Sequence, residues 1–226
     1  MRSVSQSVLT PGSGRVKSQT MTLPDYDPLP LTVSDLSLER GGIPLISGLS
    51  LRVEPGEALV LLGRNGVGKT TLLRALSGVL RPVSGDIRYG DTPAIKSAPA
   101  ICAFLGHDNA LKPDESPRQS LAFWAALSGR SADIPGAMAS MGLKALADRP
   151  SRRLSQGQKR RAALARILVQ NRPVWLLDEP AAPLDGEGRE KLSATVTAHR
   201  VRGGLVIAAT HQALDWPDAR VQELTR

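Results

Sequence analysis

The sequence has little cysteine, few aromatic residues and no long apolar run. The one cysteine, Cys102, excludes an internal disulfide, and nothing else in the chain indicates an oxidising compartment. No segment approaches the roughly 20 apolar residues that a membrane-spanning helix needs, so we expect any connection to a membrane to be made through a partner. Because aromatic residues make up only 3% of the 226, the core must consist of Leu, Val, Ile and Ala.

Basic residues outnumber acidic ones. The net charge is +8 and the pI is near 10.2, which is compatible with nucleic acid, an anionic membrane surface or a phosphorylated ligand but selects none of them. One basic cluster is either a solvated helix face or a contact surface: Arg149, Arg152, Arg153, Lys159, Arg160, Arg161 and Arg166.

The N-terminus differs in composition from the rest of the chain. It is rich in Ser and Thr, has no acid before Asp25, and contains a Pro/Gly cluster that opposes an amphipathic transit helix. We predict a disordered tail over residues 1–28, or a start at Met21. The length of the remainder, residues 29–226, predicts one domain.

Two kinds of apolar pattern predict an α/β fold. Continuous apolar runs at residues 58–63, 174–178 and 205–211 are typical of parallel strands covered on both faces. Helical patterns follow the first two runs, which favours a wound α/β sheet. Alternating patterns at residues 31–39 and 47–55 predict an antiparallel β edge region.

A third region has sequence patterns typical of helices. Patterns at residues 120–127 and 136–147 lie between the apolar runs and are separated by Ser-Gly and Pro-Gly breaks. We therefore expect an α-helical subdomain of about residues 108–167, inserted into a core formed by residues 29–107 and 168–226.

The stretch GRNGVGKT fits the phosphate-loop pattern G-x-x-x-x-G-K-[ST] between a predicted strand and a predicted helix. Backbone N–H groups and the helix N-terminus would form an anion site, with Lys69 reaching the β- and γ-phosphates and the Thr70 hydroxyl binding Mg²⁺. The predicted nucleotide-binding residues are Gly63, Arg64, Asn65, Gly66, Val67, Gly68, Lys69, Thr70 and Thr71.

An acidic pair ends the second apolar run. Asp178 would hold Mg²⁺ together with Thr70, and Glu179 would position or deprotonate an attacking water. The simpler interpretation, an acidic turn before Pro180, is disfavoured by the phosphate loop in the same chain.

The stretch RRLSQGQKRRAALARI predicts a helix that begins near Ser155. Ser155 and Gln158 resemble a capping box, and Gly157 would let an anion approach the helix N-terminus closely. The expected buried side leaves the arginines outside and consists of Ala162, Ala165, Ile167 and Leu168.

These motifs together resemble an ATP-binding-cassette (ABC) ATPase over about residues 30 to 220. LSQGQ (Leu154, Ser155, Gln156, Gly157, Gln158) is similar to that family's signature, and the DEP, APLD and ATH motifs follow in the family's order. The resemblance implies that Glu179 is the general base and that His211 contacts the γ-phosphate and braces Glu179. It also implies a head-to-tail homodimer, with each ATP between one phosphate loop and the partner's signature and with Asp185 communicating across the interface.

The stretch FLGHDNALK, residues 104–112, is similar to one subfamily, the haem-exporter ATPases of the cytochrome c maturation system. Most cassette ATPases have glutamine at the position of His107, whereas this subfamily has Leu-Gly-His, then Leu-Lys and a Phe-Trp-Ala-Ala-Leu helix. The segments LLDEPAAPLD, HRVRGG and THQAL also agree. Our hypothesis is that His107 replaces the glutamine as γ-phosphate sensor. The other interpretation is that it packs at a partner surface.

The subfamily resemblance implies a peripheral subunit on the cytoplasmic face of the bacterial inner membrane. It implies integral membrane haem-exporter subunits as partners and an indirect link to a periplasmic haem chaperone. Phe123, Trp124 and residues 107–112 would form the coupling surface, although core packing would explain the two aromatic residues equally well.

Three competing functions are compatible with parts of the sequence. An exporter of another cargo, such as lipid, drug or polysaccharide, would retain all the ATPase motifs. A nucleic-acid machine is disfavoured, and we expect no nucleic-acid partner, because the chain has one cassette, no long coiled coil between Lys69 and Ser155, and no stacking aromatics in a basic groove. A binding module without hydrolysis is disfavoured by the complete set of catalytic motifs.

Overall fold

The structure is a computed structural model that describes residues 26–225. The disordered tail predicted for residues 1–28 therefore lies outside the described residues, except for its last three. Of these, Tyr26 donates its backbone N–H to the Arg202 carbonyl (2.9 Å) and its hydroxyl to Asn171 Oδ1 (2.9 Å).

The described residues form nine strands and six α-helices. The strands are β1 (Leu31–Arg40), β2 (Ile43–Val53), β3 (Ala58–Leu62), β4 (Ser84–Tyr89), β5 (Thr92–Pro93), β6 (Cys102–Leu105), β7 (Val174–Asp178), β8 (Leu205–Thr210) and β9 (Arg220–Glu223). The helices are α1 (Lys69–Leu76), α2 (Ala94–Ile101), α3 (Pro117–Ser128), α4 (Ile134–Ser140), α5 (Gln156–Gln170) and α6 (Gly186–Val201), with 3₁₀ turns at Lys144–Leu146 and Ser151–Arg153. Within residues 26–225, none of the helices is both long enough and apolar enough to cross a bilayer.

The strands form two sheets. The antiparallel sheet has the order β2-β1-β4-β5, and the second sheet has the order β6-β7-β8-β3-β9, with parallel pairing throughout. The predicted antiparallel region and the three predicted parallel strands are thus confirmed. Because β3, β7 and β8 are neighbours, their carboxyl ends meet at one edge, where open α/β sheets place their ligands.

Both faces of the parallel sheet are covered. Along β3, Ala58 and Val60 belong to one hydrophobic cluster, with α3 to α6, whereas Leu59 and Leu61 belong to the other, with α1, α2 and the antiparallel sheet. The same alternation recurs along β7 and β8. A strand covered on both faces has no solvent side, and this explains the continuous apolar runs.

The helices that follow β6 begin with local capping signals. The side chain of Ser116 and that of Gln119 form a capping box at the start of α3, and Asp133 caps α4. The helical pattern predicted over residues 136–147 is interrupted, because α4 ends at Ser140 and Gly142 adopts a left-handed φ of 64°.

The prediction that the arginines of α5 face outward is wrong for two of them. Arg160 and Arg166 are only 2% and 5% exposed, since both side chains turn toward backbone carbonyls. Of the predicted apolar side, Ala162, Ala165 and Ile167 are buried, and Leu168 is half-buried. The basic cluster is therefore not one surface, because Arg149, Arg152 and Arg153 are exposed.

Candidate nucleotide-binding site

The phosphate loop connects the end of β3 to the start of α1. Gly68, the residue before α1, has a φ of 111°, which a residue with a side chain adopts only under strain. A Cβ on Gly63 would lie 2.6 Å from the Leu224 carbonyl oxygen, so glycine is required there for packing. These two positions explain why the loop can expose successive N–H groups at a helix N-terminus.

Lys69 lies at the centre of this loop. Its side chain is buried, and its ammonium donates to the carbonyl oxygens of Gly63 (2.5 Å) and Arg64 (3.1 Å). The loop carbonyls thereby hold a positive charge within the loop whose N–H groups would bind phosphate. Anion binding at this position follows from the charge and the N–H donors together.

Thr70 connects α1 to the end of β7. Its hydroxyl donates to Asp178 Oδ2 at 2.8 Å, and Asp178 is 4% exposed. A hydroxyl and a carboxylate side by side supply only oxygen ligands, which is the donor chemistry that Mg²⁺ prefers. The two residues predicted to bind the metal are therefore in direct contact, and their chemistry fits Mg²⁺.

Glu179, directly after β7, is held at both carboxylate oxygens. His211 Nδ1 lies 2.9 Å from Oε1, and the Thr210 hydroxyl donates to Oε2 at 3.0 Å. Its backbone has a φ of 47°, a costly conformation for a non-glycine residue, and its N–H donates to the Ala209 carbonyl at 2.8 Å. The structure thus fixes the direction of this carboxylate at the sheet edge.

The hydrogen bonds of His211 indicate its tautomer. The Glu179 carboxylate can only accept, so His211 Nδ1 is the donor, and the Gln212 side-chain amide 3.3 Å from Nε2 agrees with Nε2 as the acceptor. Nδ1 then carries the proton that is donated to Glu179. His211 therefore orients the carboxylate by donating a hydrogen bond to one of its two oxygens.

The signature segment adopts the predicted capping box at the start of α5. Ser155 Oγ accepts from the Gln158 N–H (3.2 Å), and Gln158 Oε1 accepts from the Ser155 N–H (3.0 Å). Gly157 lies against the loop before α6, where an added Cβ would be 3.0 Å from the Pro183 carbonyl oxygen. Asp185 caps α6 by accepting from the Gly188 N–H at 2.9 Å.

Within one chain the signature is separate from the phosphate loop. Leu154 is buried, whereas Ser155 and Gln156 are exposed at the helix N-terminus. Over residues 26–225, no hydrogen bond joins the signature to residues 63–71. The structure thus brings together the loop, Asp178, Glu179 and His211, but not Ser155 and Gly157.

His107 is exposed on the turn that follows β6. Its neighbours Gly106 and Asn109 accept hydrogen bonds from Arg160, so the turn is held even though His107 itself extends into solvent. The role of His107 as a sensor remains a prediction.

The two aromatic residues of α3 differ in their surroundings. Phe123 is 58% exposed, whereas Trp124 is partly buried with the Arg166 guanidinium 4.9 Å from its ring centre. Core packing therefore accounts for Trp124 but not for Phe123.

Sequence reasoning missed two residues that hold Glu179. Thr210 is recognisable in retrospect as a polar residue at the end of a buried strand. Arg160 gave no such signal, since arginines in a helical pattern are normally exposed. Burial lowers the pKa of Arg160 to about 10, so its side chain is still a cation at neutral pH.

Comparison with known proteins agrees with this geometry. The ABC transporter family profile matches residues 46–182. Two proteins described as "Cytochrome c biogenesis ATP-binding export protein CcmA", from Maricaulis maris and Paracoccus denitrificans, are 55% and 44% identical to the chain over 199 and 194 residues. These alignments cover 88% and 86% of this chain and 93% and 88% of the relatives.

Solved structures give the same fold. A putative ABC transporter ATP-binding protein from Pyrococcus furiosus matches with a TM-score of 0.78 at 28% identity, covering 86% of this chain and 97% of that chain. CbiO1 from Clostridium perfringens, part of an ABC transporter complex, matches with a TM-score of 0.69 at 30% identity, covering 80% and 78%. The predicted fold class, a P-loop NTPase of ABC type, is confirmed. The chain belongs to the ABC transporter family, and CcmA proteins are among its relatives.

Proposed function

We propose that this protein hydrolyses MgATP as the ATPase subunit of a haem exporter acting in c-type cytochrome biogenesis. The observation that carries the ATPase function is the Glu179 carboxylate, fixed by Thr210 and His211 beside the Thr70–Asp178 pair. The names and identities of the CcmA relatives support the biological setting.

Each residue of the site has a distinct task in this proposal. The loop N–H groups of residues 63–71 and the Lys69 ammonium bind the phosphates, and Thr70 and Asp178 hold Mg²⁺. The bound metal supplies charge stabilisation on the transferred phosphoryl group. Glu179 takes a proton from the attacking water, and His211 keeps Glu179 aimed at that water.

We further propose that two copies of the chain close head to tail on two ATP molecules. The exposed N-terminus of α5 supports this, because Ser155 and Gly157 offer an anion site that contacts no phosphate loop of their own chain. Asp185 would communicate between the two sites, since its segment lies against Gly157. Phosphate release would then weaken the interface and reopen the dimer.

The coupling surface in this proposal belongs to the helical subdomain of about residues 108–167. Phe123 and Leu127 are 58% and 63% exposed on α3, and the Lys112 ammonium lies 5.9 Å from the Phe123 ring centre. An exposed apolar pair beside a lysine that is paired with Glu115 suits integral membrane haem-exporter subunits at the cytoplasmic face of the bacterial inner membrane. Those subunits would provide the indirect link to a periplasmic haem chaperone.

The test is co-purification from detergent-solubilised membranes with the Glu179→Gln variant, which should trap the ATP-bound state. We expect integral haem-handling subunits to be retained with ATP and Mg²⁺, and lost when Phe123 and Leu127 are both changed to Ser. Thr197→Ser, on the exposed surface of α6, is the control and should retain them. Recovery of membrane subunits for another cargo would contradict the haem assignment and leave the ATPase function intact.

A further inference from the structure

A buried arginine contacts the backbone on which the catalytic glutamate stands. Arg160 lies on α5, about one helical turn beyond Ser155, and its side chain is 2% exposed. Its guanidinium donates to the carbonyl oxygens of Asp178, Glu179 (2.9 Å) and Pro180 (3.4 Å). Three successive carbonyls, from the last residue of β7 onward, therefore share one cation.

The same guanidinium contacts a second segment. Nη1 of Arg160 donates to the Gly106 carbonyl oxygen (2.9 Å) and to Asn109 Oδ1 (3.1 Å), on either side of His107. One side chain thus connects the turn after β6 with the segment after β7. Because β6 and β7 are adjacent parallel strands, both segments lie at the edge that holds the nucleotide site.

Only arginine has the donors that this position uses. A guanidinium presents five N–H donors in a planar fork, whereas a lysine ammonium has three donors at one point. The carbonyls themselves require a partner, since a buried carbonyl without a hydrogen bond is costly. Glu179 needs this support more than its neighbours because its φ of 47° is held only by its surroundings.

We propose that Arg160 is a positioning residue for ATP hydrolysis, fixing the backbone of Glu179 relative to the turn that carries His107. This inference rests on the proposed ATPase function. Arg160 touches neither nucleotide nor water in this role. It acts through the carbonyl of Glu179 on one side and through Gly106 and Asn109 on the other.

The test compares Arg160→Lys and Arg160→Gln with wild type in the full chain, measuring kcat, KM for ATP and melting temperature. We expect kcat to fall about tenfold or more in both variants, because small misplacement of a catalytic group is costly. KM should stay within about threefold, because the phosphate loop is unchanged. Arg161→Gln is the matched control. Its side chain donates to the Met141 carbonyl, away from both segments, and its kcat should match wild type.

A second variant keeps the inference testable should the Arg160 variants fold poorly. Asn109→Ala leaves Arg160 in place and removes one acceptor on a partly exposed turn. We expect kcat to fall about two- to fivefold and the melting temperature to fall by only a few degrees, since one charge-assisted hydrogen bond is lost.

The outcomes separate the positioning role from the ATPase function. Wild-type kcat in Arg160→Lys, or a lowered melting temperature with wild-type kcat in folded Arg160→Gln and Asn109→Ala, would mean that Arg160 is structural only. Hydrolysis by wild type no faster than by Lys69→Ala would instead overturn the ATPase assignment, whatever Arg160 does, and equal hydrolysis by wild type and Glu179→Gln would show that Glu179 is not the base that Arg160 positions.

Discussion

At the scale of single residues, Thr210 offers a sharper test of the site than Glu179 itself. Its hydroxyl donates to Glu179 Oε2 and accepts from the Gln212 N–H, so Thr210→Val removes both bonds at nearly constant volume. Hydrogen bonds to charged groups contribute about 1.5–3 kcal/mol, so we expect kcat to fall roughly tenfold or more. Steady-state ATPase kinetics measure this, and KM should change little.

Thr197→Val is the matched control, because Thr197 is exposed on α6. Both variants replace a hydroxyl by a methyl group, so a general effect of the substitution would appear in both. If Thr210→Val retained wild-type kcat, the direction of the Glu179 carboxylate would not depend on this bond.

At the scale of elements, His199 connects α6 to β7 and makes that junction sensitive to pH. Its ring stacks on Trp175 at 3.8 Å between centres, and Nε2 lies 3.1 Å from the Pro173 carbonyl oxygen. Burial is the main reason that the pKa of His199 is lowered to about 3, with Arg202 acting in the same direction and the bond to Pro173 opposing it.

The direction of the pH effect on stability follows from the pKa of His199 in the folded and in the unfolded chain. The unfolded chain protonates His199 below about pH 6.5, whereas the folded chain keeps it neutral until about pH 3. Its contribution to stability is therefore lost as the pH falls from about 6.5, at about 1.4 kcal/mol per pH unit. Between pH 6.5 and 5 we expect a loss of about 2 kcal/mol from this residue.

Urea unfolding at pH 7 and pH 5 measures this loss. His199→Phe can keep a ring beside Trp175 but does not titrate, so its free energy of unfolding should depend less on pH than that of wild type. Thr197→Val, on the exposed face of α6, is the control and should show the wild-type dependence. An equal dependence in His199→Phe would mean that the buried ring takes up protons in the folded state.

The elements also show what sequence patterns can predict. The runs that became β3, β7 and β8 were recognisable because a strand covered on both faces is apolar throughout. Strand β6 (Cys102–Leu105) is also apolar, but four residues are too few to tell a strand from part of a buried helix. Strands β4 and β9 are mostly polar, since β4 lies in the smaller sheet and β9 at a sheet edge. The direction of Arg160 was unpredictable, because the carbonyls that bury it come from two segments far from α5 in sequence.

The candidate site likewise has one part that the sequence predicts and one part that it does not. The phosphate loop and the Asp178–Glu179 pair follow from local motifs, since their spacing and the adjoining strands determine where they lie. The contacts of Thr210 and Arg160 with Glu179 depend on strand order and helix packing, which local patterns do not contain.

At the scale of the whole molecule, the separation of signature and phosphate loop makes dimerisation testable. The Glu179→Gln chain should be monomeric without nucleotide and dimeric with ATP and Mg²⁺, because each ATP would complete the other copy's anion site. Light scattering after size-exclusion chromatography measures the mass. Lys69→Ala in the Glu179→Gln background should stay monomeric in both conditions.

A substitution at Ser155 distinguishes the proposed interface from a structural effect on α5. Aspartate caps helices about as well as serine, so Ser155→Asp should preserve the helix start. It nevertheless adds a negative charge where the partner's γ-phosphate would approach, and like charges at contact distance repel strongly. In the Glu179→Gln background we expect Ser155→Asp to abolish the ATP-dependent dimer, whereas the neutral cap Ser155→Thr retains it. A dimer that persists with aspartate would place the interface elsewhere, because no phosphate could then lie against the start of α5.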